Sequence, residues 1–211
     1  MPTTAAGRRT KRQLQGERSR DEILDAASRM MSLRGYDGTS IADIARESGL
    51  PNSSIYWHFN SKLGILAAVM ERGAGLFFAN VTTPEPDPRD TPEVYLRRTL
   101  RASGAAFVEH PDFLRLFVLL LLSGNTPETA EIVERVRARA RSNLHAVITH
   151  AFTTLAPDRA GQVADDTVDF ALAGFDGAFL ALQANPAVAH ERLMEQLAVA
   201  LSSLGREALR A

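Results

Sequence analysis

Between residues 52 and 62, Ile55 and Phe59 fall four apart, so on a helix they share one face, while Ser53, Ser54, Trp57 and His58 project from the rest. Asn52 opens this stretch and Lys62 closes it. An Asn side chain pairs bidentately with adenine, Ser donates or accepts at several base edges, and Lys neutralises phosphate. The chemistry on offer is therefore contact with nucleic acid rather than the making or breaking of bonds.

The preceding residues must hold that face in place. Ile41, Ile44 and Ala45 recur at helical spacing, Ser40 followed by Asp43 forms a capping-box start, and Gly49 supplies the positive φ that ends a helix. Pro51 cannot cap through a side chain, so Asn52 is expected to cap the next helix. Two short helices around a tight turn suit a helix-turn-helix, whose second helix enters the major groove. On periodicity alone, a purely structural helical hairpin satisfies the same spacing.

The residue identities are more specific. Gly35-Tyr36-x-Gly38-Thr39-Ser40-Ile41-x-Asp43-Ile44-Ala45, Ser48-Gly49-Leu50 and Ile55-Tyr56-x-His58-Phe59-x-Ser61-Lys62 closely resemble the N-terminal signature of the TetR family of ligand-responsive transcription regulators. The resemblance covers residues 17–72; beyond them it extends only to helical content and length. It implies that Asn52, Ser53 and Ser54 touch base edges, that Tyr56, His58 and Lys62 bind phosphate, and that Thr39 and Ser40 also bind the phosphate backbone. Tyr56 has an alternative place as a partly buried core aromatic. Trp57, the single tryptophan, is free to cover a thymine methyl or the sugar-phosphate edge. Three residues depart from the family pattern: Pro51 stands where a capping Ser is common, Asn52 where Lys is common, and Ala42 offers only a methyl to a base.

The overall charge of −1 divides unevenly along the 211 residues. Residues 1–72 carry 11 Lys and Arg against 8 Asp and Glu, whereas residues 73–211 carry 13 against 17. The positive excess falls on the part that would meet phosphate. With 45% hydrophobic residues the chain can bury a sizeable core, and its longest apolar run is too short for a bilayer span of roughly 20 residues. There is no cysteine, which removes disulfides and thiolate metal sites. Together with the absence of an apolar leader, this points to a cytoplasmic protein. No glycine-rich phosphate loop, Gly-x-Ser-x-Gly elbow or His-Glu-x-x-His motif is present, so neither an enzyme nor a cofactor is expected. Asp165-Asp166-x-x-Asp169 is the one carboxylate cluster, a weak metal site without His, and a helical enzyme or lipid carrier is the remaining alternative.

The expected fold is all-α with about nine helices: a disordered basic arm at 1–16, a three-helix DNA-binding domain at 17–62, a connecting helix at 63–80, and a helical ligand-binding and dimerisation domain at 81–211. The arm either adds phosphate or minor-groove contacts or merely solubilises. Helix one is predicted from Arg18 to Arg34, with Ile23, Ala27, Met30 and Met31 inward. Alternating prolines in Thr82–Pro88 demand a loop. Thr91-Pro92-Glu93 and Thr126-Pro127-Glu128 each place a cap, a first-position proline and an acid at a helix start. Helices should follow to His110-Pro111, through Leu122 to a stop at Gly124-Asn125, from Pro127 to about Leu155, from Arg159 to Ala184 and from Ala187 to Leu209.

In the segment 159–184, Val168, Leu172, Phe175, Phe179 and Leu182 share one arc, and Ala171, Ala173, Gly174, Gly177, Ala178 and Ala181 the opposite one. Two apolar faces need two packing partners, either a central place in a monomer or a second subunit. The family resemblance implies a homodimer through residues 159–184 and 187–209, presenting two recognition helices to a pseudo-palindromic double-stranded operator.

Nine of the ten phenylalanines follow residue 72. Core packing accounts for most; the resemblance also implies an aromatic pocket for a small, largely apolar effector, with Phe77, Phe107, Phe113, Phe117, Phe152, Phe175 and Phe179 as candidate lining. Asp169 and Asp176, seven apart, share a helix flank beside Gln183, where Asp176 is either a polar anchor for a ligand or part of a solvated edge. Arg135, Arg137, Arg139 and Arg141 read as a solvated, ion-paired surface. The expected function is a ligand-responsive regulator, a repressor released by its effector, with an activator or a protein-controlled regulator of the same fold as alternatives.

Overall fold

The computed structural model describes residues 11–80, 87, 89–123 and 126–210. Among these residues there are nine helices and no strand: α1 (Lys11–Arg34), α2 (Ile41–Ser48), α3 (Asn52–His58), α4 (Lys62–Asn80), α5 (Pro92–Glu109), α6 (Pro111–Leu122), α7 (Pro127–Thr153), α8 (Ala160–Ala184) and α9 (His190–Ala208). The expected loop at Thr82–Pro88 lies outside the described residues apart from Asp87, as does the Gly124-Asn125 stop.

The proline-led starts behave as their chemistry requires. Thr91 accepts from the Val94 amide and Thr126 from the Thr129 amide, with proline at the next position, where no amide is needed. Two boundaries differ from expectation. Helix α1 begins at Lys11 rather than Arg18, so residues 11–16 of the expected arm are helical and only 1–10 lie outside the described residues. Gln13, Leu14, Gln15 and Glu17 are adequate helix formers, but Leu14 is 51% exposed, so the segment carries no apolar stripe to betray it. Helix α9 begins at His190 rather than Ala187, because the Asn185 side chain accepts from the Ala187 amide and its carbonyl from the Val188 amide, which holds a turn.

Helices α2, α3 and α4 pack on α1, whose Ile23, Leu24, Ala27 and Met31 are fully buried. Helices α5, α7, α8 and α9 form a bundle, and α6 bridges the two groups by packing on α1, α4 and α7. The apolar core runs without a break from Ile23 through Phe113 to Leu201. At the bridge, Ser32 is 1% exposed, and its hydroxyl lies 3.1 Å from an Asp112 carboxylate oxygen in the first turn of α6. Gly73 of α4 meets Phe113 so closely that a Cβ there would lie 2.5 Å from the ring.

Helix α8 corrects the two-arc reading. Val168, Leu172 and Phe179 are buried as expected, but the small-residue arc divides. Ala171 and Ala178 are buried within the chain, and Gly174 backs directly onto Leu197 of α9. Phe170, Ala173, Gly177 and Leu180 instead form an exposed apolar strip at helical spacing.

Candidate nucleic-acid interface and cavity

The two short helices are fixed by local hydrogen bonding. The Asp43 amide donates to Ser40 Oγ at 3.1 Å, and the Ser40 amide and hydroxyl donate to Asp43 Oδ2 at 3.1 and 2.6 Å. These Ser40 bonds, with a short contact from Arg46, lower the Asp43 pKa to about 2. Gly49 ends α2 at φ 70°, a left-handed conformation that glycine adopts without a Cβ clash. Pro51 leads into α3 with extended backbone, and its carbonyl accepts from Ser54 and Ile55 at 2.9 and 3.4 Å.

Ile55 at 0% and Phe59 at 6% exposure anchor the inner side, so Asn52, Ser53, Tyr56 and Trp57 stand outward. Tyr56 is 54% and Trp57 75% exposed, which removes the core alternative for Tyr56. Ser54 and His58 are half-buried. The Trp57 ring meets the His58 ring edge-on, 4.5 Å between centroids, and lies 3.8 Å from the place a Cβ on Gly16 would occupy. The amino-terminal end of α1 thus forms a shallow cleft with α3, lined by Gln15, Gly16, Ser19, Ser53, Trp57 and His58. Sequence reasoning missed these α1 residues, since nothing in their pattern sets them beside a helix some 40 residues on.

Other expected contacts are committed elsewhere. Thr39 is 1% exposed, and its hydroxyl donates to the Gly35 carbonyl at 2.9 Å, so it closes the turn after α1 rather than facing phosphate. Ser40 is exposed, but its hydroxyl proton goes to Asp43, leaving none for a phosphate oxygen. Asn52 does not cap α3; Pro51 holds the cap position with no side-chain bond, so the Asn52 amide is not spent on capping. Lys62 donates to the Tyr36 carbonyl at 3.0 Å and lies over the Tyr36 ring at 4.2 Å. Burial, and then the nearby Arg20 charge, lower the His58 pKa from its ordinary value.

A second site lies in the helical bundle. Helices α4, α5, α6, α7 and α8 enclose a cavity of about 460 Å³. The expected Phe77, Phe107, Phe113, Phe117, Phe175 and Phe179 all line it, joined by Phe78. Phe107 packs edge-on to Phe175 and Phe179, with ring centroids 5.8 and 6.0 Å apart. Phe152 does not line it; it is fully buried against Gly205 and belongs to the core between α7 and α9. Asp176 lines the cavity as expected but is already paired, accepting from Arg137 at 2.9 and 2.6 Å. Arg137 is therefore a cavity residue, unlike Arg135 and Arg141, which pair with Glu131 and Asp169 on the surface. Among the described residues, no group of three or more His, Asp or Glu side chains is placed to hold a metal ion.

The arrangement defines an all-helical protein with an outward-facing helix-turn-helix and an aromatic cavity in a second helical layer. Residues 23–69 match the family described as bacterial regulatory proteins, tetR family. That match runs from Ile23 of α1 to Val69 of α4, so it covers the helix-turn-helix part of the chain. The chain is 29% identical over 145 residues to the transcriptional regulator SrpR of Pseudomonas putida, covering 66% of this chain and 63% of that protein. It is 41% identical over 64 residues to TtgR of Pseudomonas putida, 30% of each chain. Another relative, YerO of Bacillus subtilis, is 30% identical over 114 residues, covering 54% of this chain and 38% of that one. The chain thus spans less than two thirds of the length of these relatives. The fold resembles that of a transcriptional regulator from Aquifex aeolicus, with a TM-score of 0.63, 20% identity and 88% and 99% of the two chains covered. It also resembles FadR from Bacillus subtilis, solved in complex with stearoyl-CoA, with a TM-score of 0.68, 17% identity and 87% and 97% covered.

Proposed function

We propose that this chain is a DNA-binding transcription regulator, a repressor that leaves its operator when a small, largely apolar molecule fills the bundle cavity. The observation that carries the reading is the outer side of α3, where Asn52, Ser53, Tyr56 and Trp57 stand clear of the surface over a base of buried Ile55 and Phe59. In this reading Asn52 and Ser53, with the accessible part of Ser54, read base edges. Tyr56, Trp57 and His58 meet the sugar-phosphate backbone. The division into a DNA-binding part at 17–62, a connecting helix at 63–80 and an effector and dimerisation part at 81–211 belongs to the same proposal.

The effector half rests on the cavity and its contact with α4. Phe113 lines the cavity and also abuts Gly73, so a molecule displacing that ring presses on the helix that leads to α3. The exposed strip Phe170, Ala173, Gly177 and Leu180 supports a homodimer through α8 and α9, which suits a pseudo-palindromic operator and a cytoplasmic setting. No described helix is long and apolar enough to cross a membrane.

A gel-shift titration with DNA flanking the gene tests the proposal. Specific binding whose affinity falls steeply with salt is expected. Absence of specific binding, both there and after selection from random duplexes, overturns it.

A further inference from the structure

The cavity carries two full charges, and they cancel. Arg137 of α7 and Asp176 of α8 meet bidentately, and their side chains are only 32% and 28% exposed. Ser103, another polar lining group, donates to the Thr99 carbonyl at 2.9 Å. Asn143 and His150 complete the polar lining, with His150 at an exposed position on the rim. Arg139 lies over the Phe78 ring at 4.9 Å, but it faces water and does not line the cavity. The remaining wall is phenylalanine and aliphatic.

We propose that this ion pair makes the cavity a receptor for uncharged aromatic molecules bearing a carbonyl or hydroxyl group, and a poor one for molecules of the same shape with a net charge. The inference rests on the effector reading above. An anion would compete with Asp176 for the guanidinium fork, leaving a second negative charge among phenylalanine rings. An ammonium group would compete for the Asp176 carboxylate and leave Arg137, which keeps its charge at any relevant pH, without its partner. Either exchange strands a partly desolvated charge, a cost that outweighs the new attraction. A neutral acceptor avoids this cost. It leaves the pair intact and can use guanidinium N–H groups that do not face Asp176, while the edge-on rings of Phe107, Phe175 and Phe179 receive its aromatic body.

The pair also predicts how selectivity changes when it is broken. In Asp176→Asn the Arg137 charge is unopposed and invites an anion; in Arg137→Gln the Asp176 charge invites a cation. Calorimetric titration of the full chain with three probes of one shape, biphenyl carboxamide, biphenyl carboxylate and biphenyl methylammonium, reads this directly without DNA. The wild type is expected to bind the carboxamide about tenfold or more tightly than either charged probe. Asp176→Asn should bring the carboxylate to the front and Arg137→Gln the methylammonium. The double variant, which lacks both charges, should restore the carboxamide.

A wild type that prefers either charged probe, or shows no preference, overturns the charge inference and leaves the cavity a receptor. Failure of all three probes to bind the wild type removes the receptor reading and the inference together. Should a single variant fail to fold, the wild-type order decides the matter.

Discussion

The Lys62 ammonium group donates to the Tyr36 carbonyl at 3.0 Å while lying 4.2 Å from the centre of the Tyr36 ring. This ties the first turn of α4 to the loop between α1 and α2, on either side of the helix-turn-helix. A lysine whose type and place suggest phosphate contact thus also braces the motif from within. Lys62→Ala is expected to destabilise the fold by about 1–2 kcal/mol, the loss of a half-buried charge-assisted hydrogen bond and its ring contact. Operator affinity should fall while the salt slope stays unchanged; a slope shallower by about one unit in a salt titration would instead make Lys62 a phosphate ligand.

Thr39 offers a cleaner separation of stability from binding. Replacing it with Val keeps the shape but loses the bond to the Gly35 carbonyl, at a cost of about 1 kcal/mol in a denaturant titration. Operator affinity measured well below the melting temperature should be unchanged, because a side chain 1% exposed has no route to phosphate.

Asn52→Ala should do the reverse. Its side chain makes no capping bond, so stability should hold, while discrimination among operator variants shifts by about 1–3 kcal/mol at one base position. An unchanged preference in a selection from random duplexes would remove Asn52 from base readout.

Asp43 gives a pH signature. Its carboxylate is held at a pKa of about 2, below the ordinary 3.8, first by the Ser40 hydroxyl and amide and then by Arg46. A depressed carboxylate contributes stability that is complete above the unfolded value and is lost as the pH falls through the folded one. The stability difference between wild type and Asp43→Asn should therefore be flat at neutral pH and shrink between pH 3.8 and about 2, as followed by urea denaturation.

Gly177 tests the apolar strip on α8. A Cβ there meets nothing within 4 Å in the single chain, so Gly177→Glu should fold normally. In the proposed dimer, the carboxylate would be buried against a second apolar helix. Light scattering should report a monomer, and operator affinity should collapse with it. A variant that remains dimeric would move the interface elsewhere.

These tests follow the line between what the chain declares locally and what only packing supplies. The Thr-Pro-Glu starts of α5 and α7, the Ser40–Asp43 box and the left-handed Gly49 were legible because capping is decided within a few residues. The outward side of α3 was legible because Ile55 and Phe59 fix the inward one. The helical turns at 11–16 were not, since they carry no buried stripe. Arg137 was misread because an alternating run of arginines on a helix looks like surface; the partner that draws it into the cavity, Asp176, is 39 residues away. Thr39 was misread for a related reason: residue type suggests a phosphate ligand, but the carbonyl that claims its hydroxyl comes from another turn of chain, and Lys62 reaches such a carbonyl as well. Phe152 shares its chemistry with the cavity phenylalanines and differs only in facing Gly205.

The contacts of α6 with Ser32 and Gly73 bear on attempts to re-engineer such a protein as a sensor. Grafting its first three helices onto a foreign receptor would cut through a continuous core rather than a linker. A working chimera must carry matched partners for both positions: a polar group opposite Ser32, whose hydroxyl also reaches the Arg29 carbonyl at 2.9 Å within α1, and an aromatic ring seated on the bare backbone of Gly73. Recombination points inside α4 therefore need to preserve that seat, and exchange at the level of whole chains avoids the problem.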